Sequence, residues 1–215
     1  SVLMHKKIVV VDADPQANAS TYSLDEDVTA ELYTRTNSNG TLNEIFRELR
    51  RTGYYHNKQL PIIHSQRFGY DIIPGDPSIS LFEDFLSKDW FDSINGEARA
   101  LRTTLIFKHL NFRLEAEGYD FALYDVGPSL GAINRSVLIA SDYYLLPMAT
   151  DIFSLRAIDN IKTSLKTWGD SFLKGLNSYR STESEIFKLD GNEVSFSLNF
   201  IGYITQQYLT KKNRD

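Results

Sequence analysis

Three short apolar runs that show no in-and-out alternation, each entering a turn of small residues and then a helix-like pattern, constrain this chain more than any other feature. They are Ile8 to Val11, entering Asp12-Ala13-Asp14-Pro15; Phe121 to Tyr124, entering Asp125-Val126-Gly127-Pro128; and Tyr143 to Leu146, entering Pro147-Met148-Ala149-Thr150. A strand with one solvated face alternates apolar and polar residues, so a continuous apolar run of strand length reads as a strand buried on both faces. Parallel strands joined through helices supply cover on both sides. The expected fold is α/β: a doubly wound, mostly parallel sheet with helices on both faces.

Between the first two runs, Thr41-Leu42-Asn43-Glu44 has the spacing of a capping box ahead of Ile45, Phe46 and Leu49. Short strands are expected near Pro61 to His64 and Tyr70 to Ile73, then a helix from Ser78 to about Leu86, a loop through Asp92 and Gly96, and a longer helix to about Glu117. Leu155 to Tyr179 reads as helix and the polar stretch Ser178 to Glu185 as a surface loop. Val194 to Thr205 reads as one or two strands after a turn at Asp190-Gly191-Asn192. At 215 residues, with no internal repeat or linker, the chain is expected to be a single domain.

Composition narrows the function classes. The apolar runs are far shorter than the roughly 18–20 residues that span a bilayer, so no membrane span is expected and the protein is placed in the cytoplasm. Without cysteine, the segment can hold no disulfide, thiolate zinc site or cysteine-held iron–sulfur cluster. A formal net charge of -5 gives no overall pull toward nucleic acid, so contact with DNA must come from a local basic patch. Arg47, Arg50 and Arg51 on one predicted helix face, and Lys211, Lys212 and Arg214 near the C-terminus, are the candidates, although each also reads as an ordinary solvated face.

In an open parallel sheet, ligands bind outside the carboxyl ends of the strands. Asp12 and Asp14 follow the first run and Asp125 ends the second. A single aspartate there reads as a turn or helix cap. Three of them, two within Asp-x-Asp-Pro-Gln, point to phosphoryl transfer, where one carboxylate holds the Mg²⁺ shell and another orients the attacking water.

The segment Val9-Val10-Val11-Asp12-Ala13-Asp14-Pro15-Gln16-Ala17-Asn18-Ala19-Ser20 resembles the second signature of the ParA/MinD family of deviant P-loop ATPases, and specifically of its ParA branch. Tyr119 to Gly131 resembles that family's Walker B strand and switch loop, usually written with Pro where Gly127 stands. The likeness continues through Asn134 to Ala140, Ile152-Phe153-Ser154-Leu155 and Tyr70-Asp71-Ile72-Ile73-Pro74-Gly75. The resemblance implies a P-loop NTPase-like fold that uses ATP and Mg²⁺. It assigns Asp14 to positioning or activating the water, Asp125 to the Mg²⁺ shell, and Asp12 to a second carboxylate near the metal. It places the Gly127 N–H, in the switch loop with Pro128, toward the γ-phosphate, and Thr205 and Gln206 near the adenine.

The resemblance further implies an ATP-dependent homodimer that partitions plasmid or chromosomal DNA. Its expected partners are non-specific DNA and a ParB-like activating protein, with the dimer associated with the nucleoid. Membrane cycling of the MinD kind needs a C-terminal amphipathic helix that this chain does not show. The family's first strand and its Lys-Gly-Gly-x-Gly-Lys-Thr loop are expected ahead of Ser1, since Ser1 to His5 resembles the end of the helix after that loop. The family's closing helices are expected beyond Asp215.

Two other readings compete. One is a non-catalytic adaptor that keeps the fold without a nucleotide loop. The other is a serine hydrolase, because Gly127-Pro128-Ser129-Leu130-Gly131 satisfies Gly-x-Ser-x-Gly between a strand and a helix. That triad requires a histidine after the serine, and His5, His56, His64 and His109 all precede Ser129. Phe107, Phe112, Trp90 and Trp168 read as core residues rather than a base-stacking platform.

Overall fold

The computed structural model describes residues 5–34, 40–54, 59–148 and 152–205. Along the chain run β1 (Ile8–Asp12), α1 (Asn18–Ser23), α2 (Glu26–Thr34), α3 (Leu42–Thr52), β2 (Ile63–Ser65) and β3 (Tyr70–Ile73). A 3₁₀ turn at Pro77–Phe82 leads into α4 (Glu83–Ile94), α5 (Ala98–Thr104), α6 (Ile106–Ala116), β4 (Phe121–Asp125) and α7 (Ala132–Ala140). The chain continues with β5 (Tyr143–Met148), α8 (Ile152–Glu183), β6 (Lys188–Leu189), β7 (Asn192–Glu193) and β8 (Asn199–Thr205).

β1 is the hub. It pairs in parallel with β3 on one side, Val10 opposite Ile72, and with β4 on the other, Asp12 opposite Asp125. β2 joins β3 antiparallel at the edge, giving the order β2-β3-β1-β4. The two faces of this sheet meet different layers. Val9, Val11 and Ile73 pack with Phe46, Ile106, Phe107, Leu110 and Val137 from α3, α6 and α7. Val10 and Ile72 pack on the opposite side with Leu24, just after α1, and Leu32 of α2. The doubly wound arrangement is thus built from β-branched residues that point alternately into two cores.

The second and third apolar runs have the composition of buried strands but are not covered on both sides. β4 is the terminal strand of its sheet, with Phe121 and Leu123 51% and 54% exposed. β5 pairs in parallel with β8 in a separate two-stranded sheet, where Tyr143 and Ile201 are 62% and 63% exposed. Among the described residues, none adds a strand to the outer edge of β4.

Several boundaries differ from the sequence expectation, each for a tertiary reason. Thr41 does precede α3, but its hydroxyl donates to Asp76 Oδ2 at 3.0 Å instead of closing a capping box. Of the loop expected through Asp92 and Gly96, Asp92 lies inside α4 and Gly96 in the turn after it, and most of the surface loop expected from Ser178 to Glu185 lies in α8, which ends at Glu183. Both helices are extended by a shared core in which Trp90, Leu101, Leu105, Phe172 and Phe187 are buried, with Leu176 and Tyr179 packed against it. The long helix expected up to Glu117 is two, broken at Leu105. The turn at Asp190-Gly191 forms a hairpin of β6 and β7, tied to α6 by a 2.5 Å contact between His109 Nδ1 and Asp190 Oδ2. No helix among the described residues is long and apolar enough to cross a membrane.

Phe46 is fully buried, and its ring meets those of Phe82 and Phe107 at centroid distances of 5.1 and 5.6 Å. Phe46→Ala is expected to destabilise the protein by about 3–5 kcal/mol through lost burial and the cavity left behind. Urea unfolding at neutral pH measures it, and a loss under about 1 kcal/mol would mean that α3 is not seated in this core.

Candidate active site

Because β1 and β4 run parallel and in register, Asp12 and Asp125 end adjacent strands side by side. The chain leaving β1 is then pinned to β4 by the Ala13 N–H, which donates to the Asp125 carbonyl oxygen at 2.8 Å. Asp14 closes the turn. Its Oδ1 accepts the Gln16 N–H at 3.0 Å, its carbonyl accepts the Ala17 N–H at 2.9 Å, and Ala17 takes a left-handed conformation at φ 53°. The Pro-Gln of the Asp-x-Asp-Pro-Gln motif therefore shapes the turn that presents Asp14.

Asp12 is fully buried and heavily supported. Its Oδ2 accepts two hydrogen bonds from Ser20, from the N–H at 2.7 Å and the hydroxyl at 2.6 Å. Ser20 Oγ in turn accepts the Gly75 N–H at 2.8 Å, and the Gly75 carbonyl accepts the Tyr33 hydroxyl at 3.0 Å. Position 75 has no room for a side chain, since a Cβ there would lie 2.9 Å from Asp12 Cγ. The other oxygen, Asp12 Oδ1, is buried with no hydrogen-bond partner.

Among the described residues, no ion pair is formed by Asp12, Asp14 or Asp125. Burial pushes the Asp12 carboxyl above the ordinary carboxylate range against the pull of Ser20 and of the Asp14 backbone N–H, and the Asp14 charge adds to the rise. Asp125 is likewise raised, first by desolvation and then by the charges of Asp12 and Asp14. Among the described residues, no group of three or more His, Cys, Asp or Glu side chains is gathered so as to hold a metal ion by itself. The set therefore fits a cation that keeps its own water and takes other ligands from a bound phosphate, as Mg²⁺ does. An unpartnered buried carboxylate oxygen beside mutually repelling carboxylates supplies the acceptors for such water.

The loop after β4 closes the other side. A Cβ on Gly127 would lie 3.3 Å from Asp14 Oδ1, so this backbone runs directly beside that carboxylate. Pro128 is exposed next to it. Asp12, Asp14, Asp125, Gly127 and Pro128 are thus brought to one end of the sheet. Thr205 ends β8, exposed and opposite Met148, in the separate β5–β8 pair. Gln206, and the basic residues Lys211, Lys212 and Arg214, lie outside the described residues. Arg47, Arg50 and Arg51 are exposed on α3; Arg51 pairs with Glu48 and Arg50 stacks over Phe82.

Sequence reasoning missed Ser20 and Gly75 as supports of Asp12. Both lie within the family-like segments, but only the β1–β3 pairing brings them together. Ser129 does not look like an activated nucleophile. Its Oγ accepts the Gly131 N–H at 3.4 Å, while His64 and His109 face Asp71 and Asp190.

Because the folded pKa of Asp125 lies above its unfolded value, the unfolded chain releases that proton first as pH rises. The stabilising contribution of the protonated group is full at low pH and is lost as pH climbs through the folded pKa. At neutral pH the ionised group is a net cost, softened by solvent screening of this exposed side chain. Asp125→Asn is expected to raise Tm at pH 7 by a few degrees, with the gain shrinking toward pH 4. A lower Tm at pH 7 would contradict the electrostatic account.

The family described as AAA domain (AAA_31) matches residues 2–177. A virulence plasmid ParA family protein, pGP5-D of Chlamydia psittaci, is 31% identical over 195 residues, which cover 85% of this chain and 64% of that protein. The chain thus spans under two thirds of that relative's length. Protein DIP2308 from Corynebacterium diphtheriae has the same fold, with a TM-score of 0.81 and 29% identity over 95% of this chain and 74% of that one. Cobyrinic acid a,c-diamide synthase from Mycobacterium smegmatis, with a bound ATP analogue and magnesium, shares the fold at a TM-score of 0.58 and 14% identity, covering 95% of this chain and 64% of that one. The chain belongs to the AAA-domain family (AAA_31) and, within it, is similar to the ParA family protein of the Chlamydia psittaci virulence plasmid.

Proposed function

We propose that the protein to which this chain belongs is a Mg²⁺-dependent ATPase that works as a dimerising switch in plasmid or chromosome partition. The observation that carries the reading is the convergence of Asp12, Asp14 and Asp125 at the ends of β1 and β4, with the Gly127 backbone beside Asp14. A bound ATP analogue and magnesium in the synthase of the same fold support the choice of ligand.

In this reading Asp14 holds and orients the water that attacks the γ-phosphate, from a turn rigidified by its own backbone contacts. Asp125 and Asp12 would hold Mg²⁺ by accepting from water in its shell, and the ion would supply charge neutralisation at the phosphates. By the family resemblance, the Gly127 N–H, in the loop it shares with Pro128, would serve the γ-phosphate, and Thr205 and Gln206 would belong to the adenine end of the site. A strand carrying a phosphate loop would fit the edge of β4 that no described strand covers. The exposed apolar residues of β4, β5 and β8 support this, because they have the composition of strands meant to be covered. The dimer acts in the cytoplasm on non-specific DNA and is stimulated by a ParB-like partner.

Asp14→Ala in the full-length protein is expected to lower turnover by about 10²–10⁴, with Mg·ATP affinity changed less than about threefold, because a water-orienting group acts mainly in the transition state. Phosphate release and equilibrium binding on one preparation read both. Normal turnover would remove Asp14 from this role. A wild-type protein that binds no ATP would favour the non-catalytic adaptor.

A further inference from the structure

The N-terminus of α7, which leads out of the loop beside Asp14, is not capped from its own sequence. The residue before it, Gly131, has no side chain, and the first N–H groups of a helix lack partners within it. The cap comes from far along the chain. One carboxylate oxygen of Glu83, at the start of α4, accepts the Ala132 N–H, and the other accepts the Ile133 N–H at 3.0 Å. A negative group on the helix axis is also favoured by the helix dipole. Gly131 admits it, because a Cβ there would collide with Glu83 Oε1.

The same loop is tied from within. Asn134 Nδ2 donates to the carbonyl oxygens of Gly127 and Ser129, both at 2.6 Å. The backbone from Gly127 to Ile133 is therefore held at its start by Asn134 and at its end by Glu83. Glu83 is itself well anchored: it follows the 3₁₀ turn whose Ile79 and Phe82 are buried in the main core and whose cap, Asp76, is bonded by Thr41. Arg135 faces it from α7, its guanidinium stacked 4.5 Å from the Trp90 ring centroid and in electrostatic contact with Glu83.

We infer that Glu83 is a positioning residue for the Gly127–Gly131 loop, fixing the distance of that loop from Asp14 through the N-terminus of α7. The carboxylate also occupies the α7 N-terminus, so that end of the helix is filled by the protein and is closed to a phosphate. The consequence for catalysis rests on the ATPase reading above; the consequence for the loop does not. An ordinary helix cap would add stability and nothing else, so the two roles separate in kinetics.

The test uses the full-length protein as wild type, Glu83→Ala and Glu83→Gln. Amide hydrogen exchange is read at residues 127–133 and at β1, together with Mg·ATP affinity and turnover. In Glu83→Ala, exchange at Ala132, Ile133 and the loop is expected to rise about tenfold or more while β1 is unchanged. Turnover should fall about tenfold with affinity within about twofold, and Glu83→Gln, which keeps the packing and one good acceptor, should lie between. Unchanged protection of the loop would overturn the inference. So would a freed loop with full turnover, which would reduce Glu83 to a cap. If the wild type neither binds nor hydrolyses ATP, the ATPase reading fails, and exchange alone decides whether Glu83 holds the loop. Loss of β1 protection in both variants would mean that Glu83 holds the fold at large, which also overturns the specific role.

Discussion

The parallel pairing of β1 with β4 governs everything at the functional end of this molecule. Ladder bonds set Asp12 opposite Asp125, and the bond from Ala13 to the Asp125 carbonyl then fixes where the turn carrying Asp14 begins. Shifting the register by one residue would turn β4's side chains to the opposite faces and take Asp125 from beside Asp12. The burial of Val9 and Val11 on one face and the packing of Val10 on the other are what make such a slip costly.

The site built on this pairing stores unfavourable electrostatics. Asp12 is held by the Ser20 pair of hydrogen bonds, of a kind that contributes about 1.5–3 kcal/mol each, yet burial still pushes its carboxyl above the usual range. Asp125 is raised in the same direction, with the charges of its two neighbours adding to desolvation. Three carboxylates at the end of two strands make little sense as stabilising groups. They make sense as acceptors awaiting positive charge, and a divalent cation brought with a nucleotide would relieve the repulsion. Glu83 serves a different purpose, since its charge is spent on the first N–H groups of α7 and faces Arg135.

Much of this was legible before the structure. The apolar run Ile8 to Val11 and the carboxylates at its end located β1, and Tyr70 to Ile73 matched β3 residue for residue, because strand composition and turn residues are local signals. What the sequence hid is long-range. Thr41 looks like a cap and instead bonds Asp76, 35 residues away. Ser20 and Gly75 meet only because β1 lies beside β3, and Glu83 reaches α7 across 49 residues. The helices α4 and α8 outrun their local signals because Trp90 and Phe172 share a core that no window of sequence contains. The exposure of Phe121 and Leu123 was also unreadable, since their composition is that of a covered strand.

The central claim is that Asp12, Asp14 and Asp125 surround the place where metal and nucleotide bind. Anomalous diffraction from crystals of the full-length protein grown with ATP and Mn²⁺ in place of Mg²⁺ tests it most directly. The account predicts a single manganese peak between the nucleotide phosphates and the ends of β1 and β4, within one water of the Asp125 carboxylate. A manganese–nucleotide complex bound elsewhere, with these three carboxylates untouched, would contradict it.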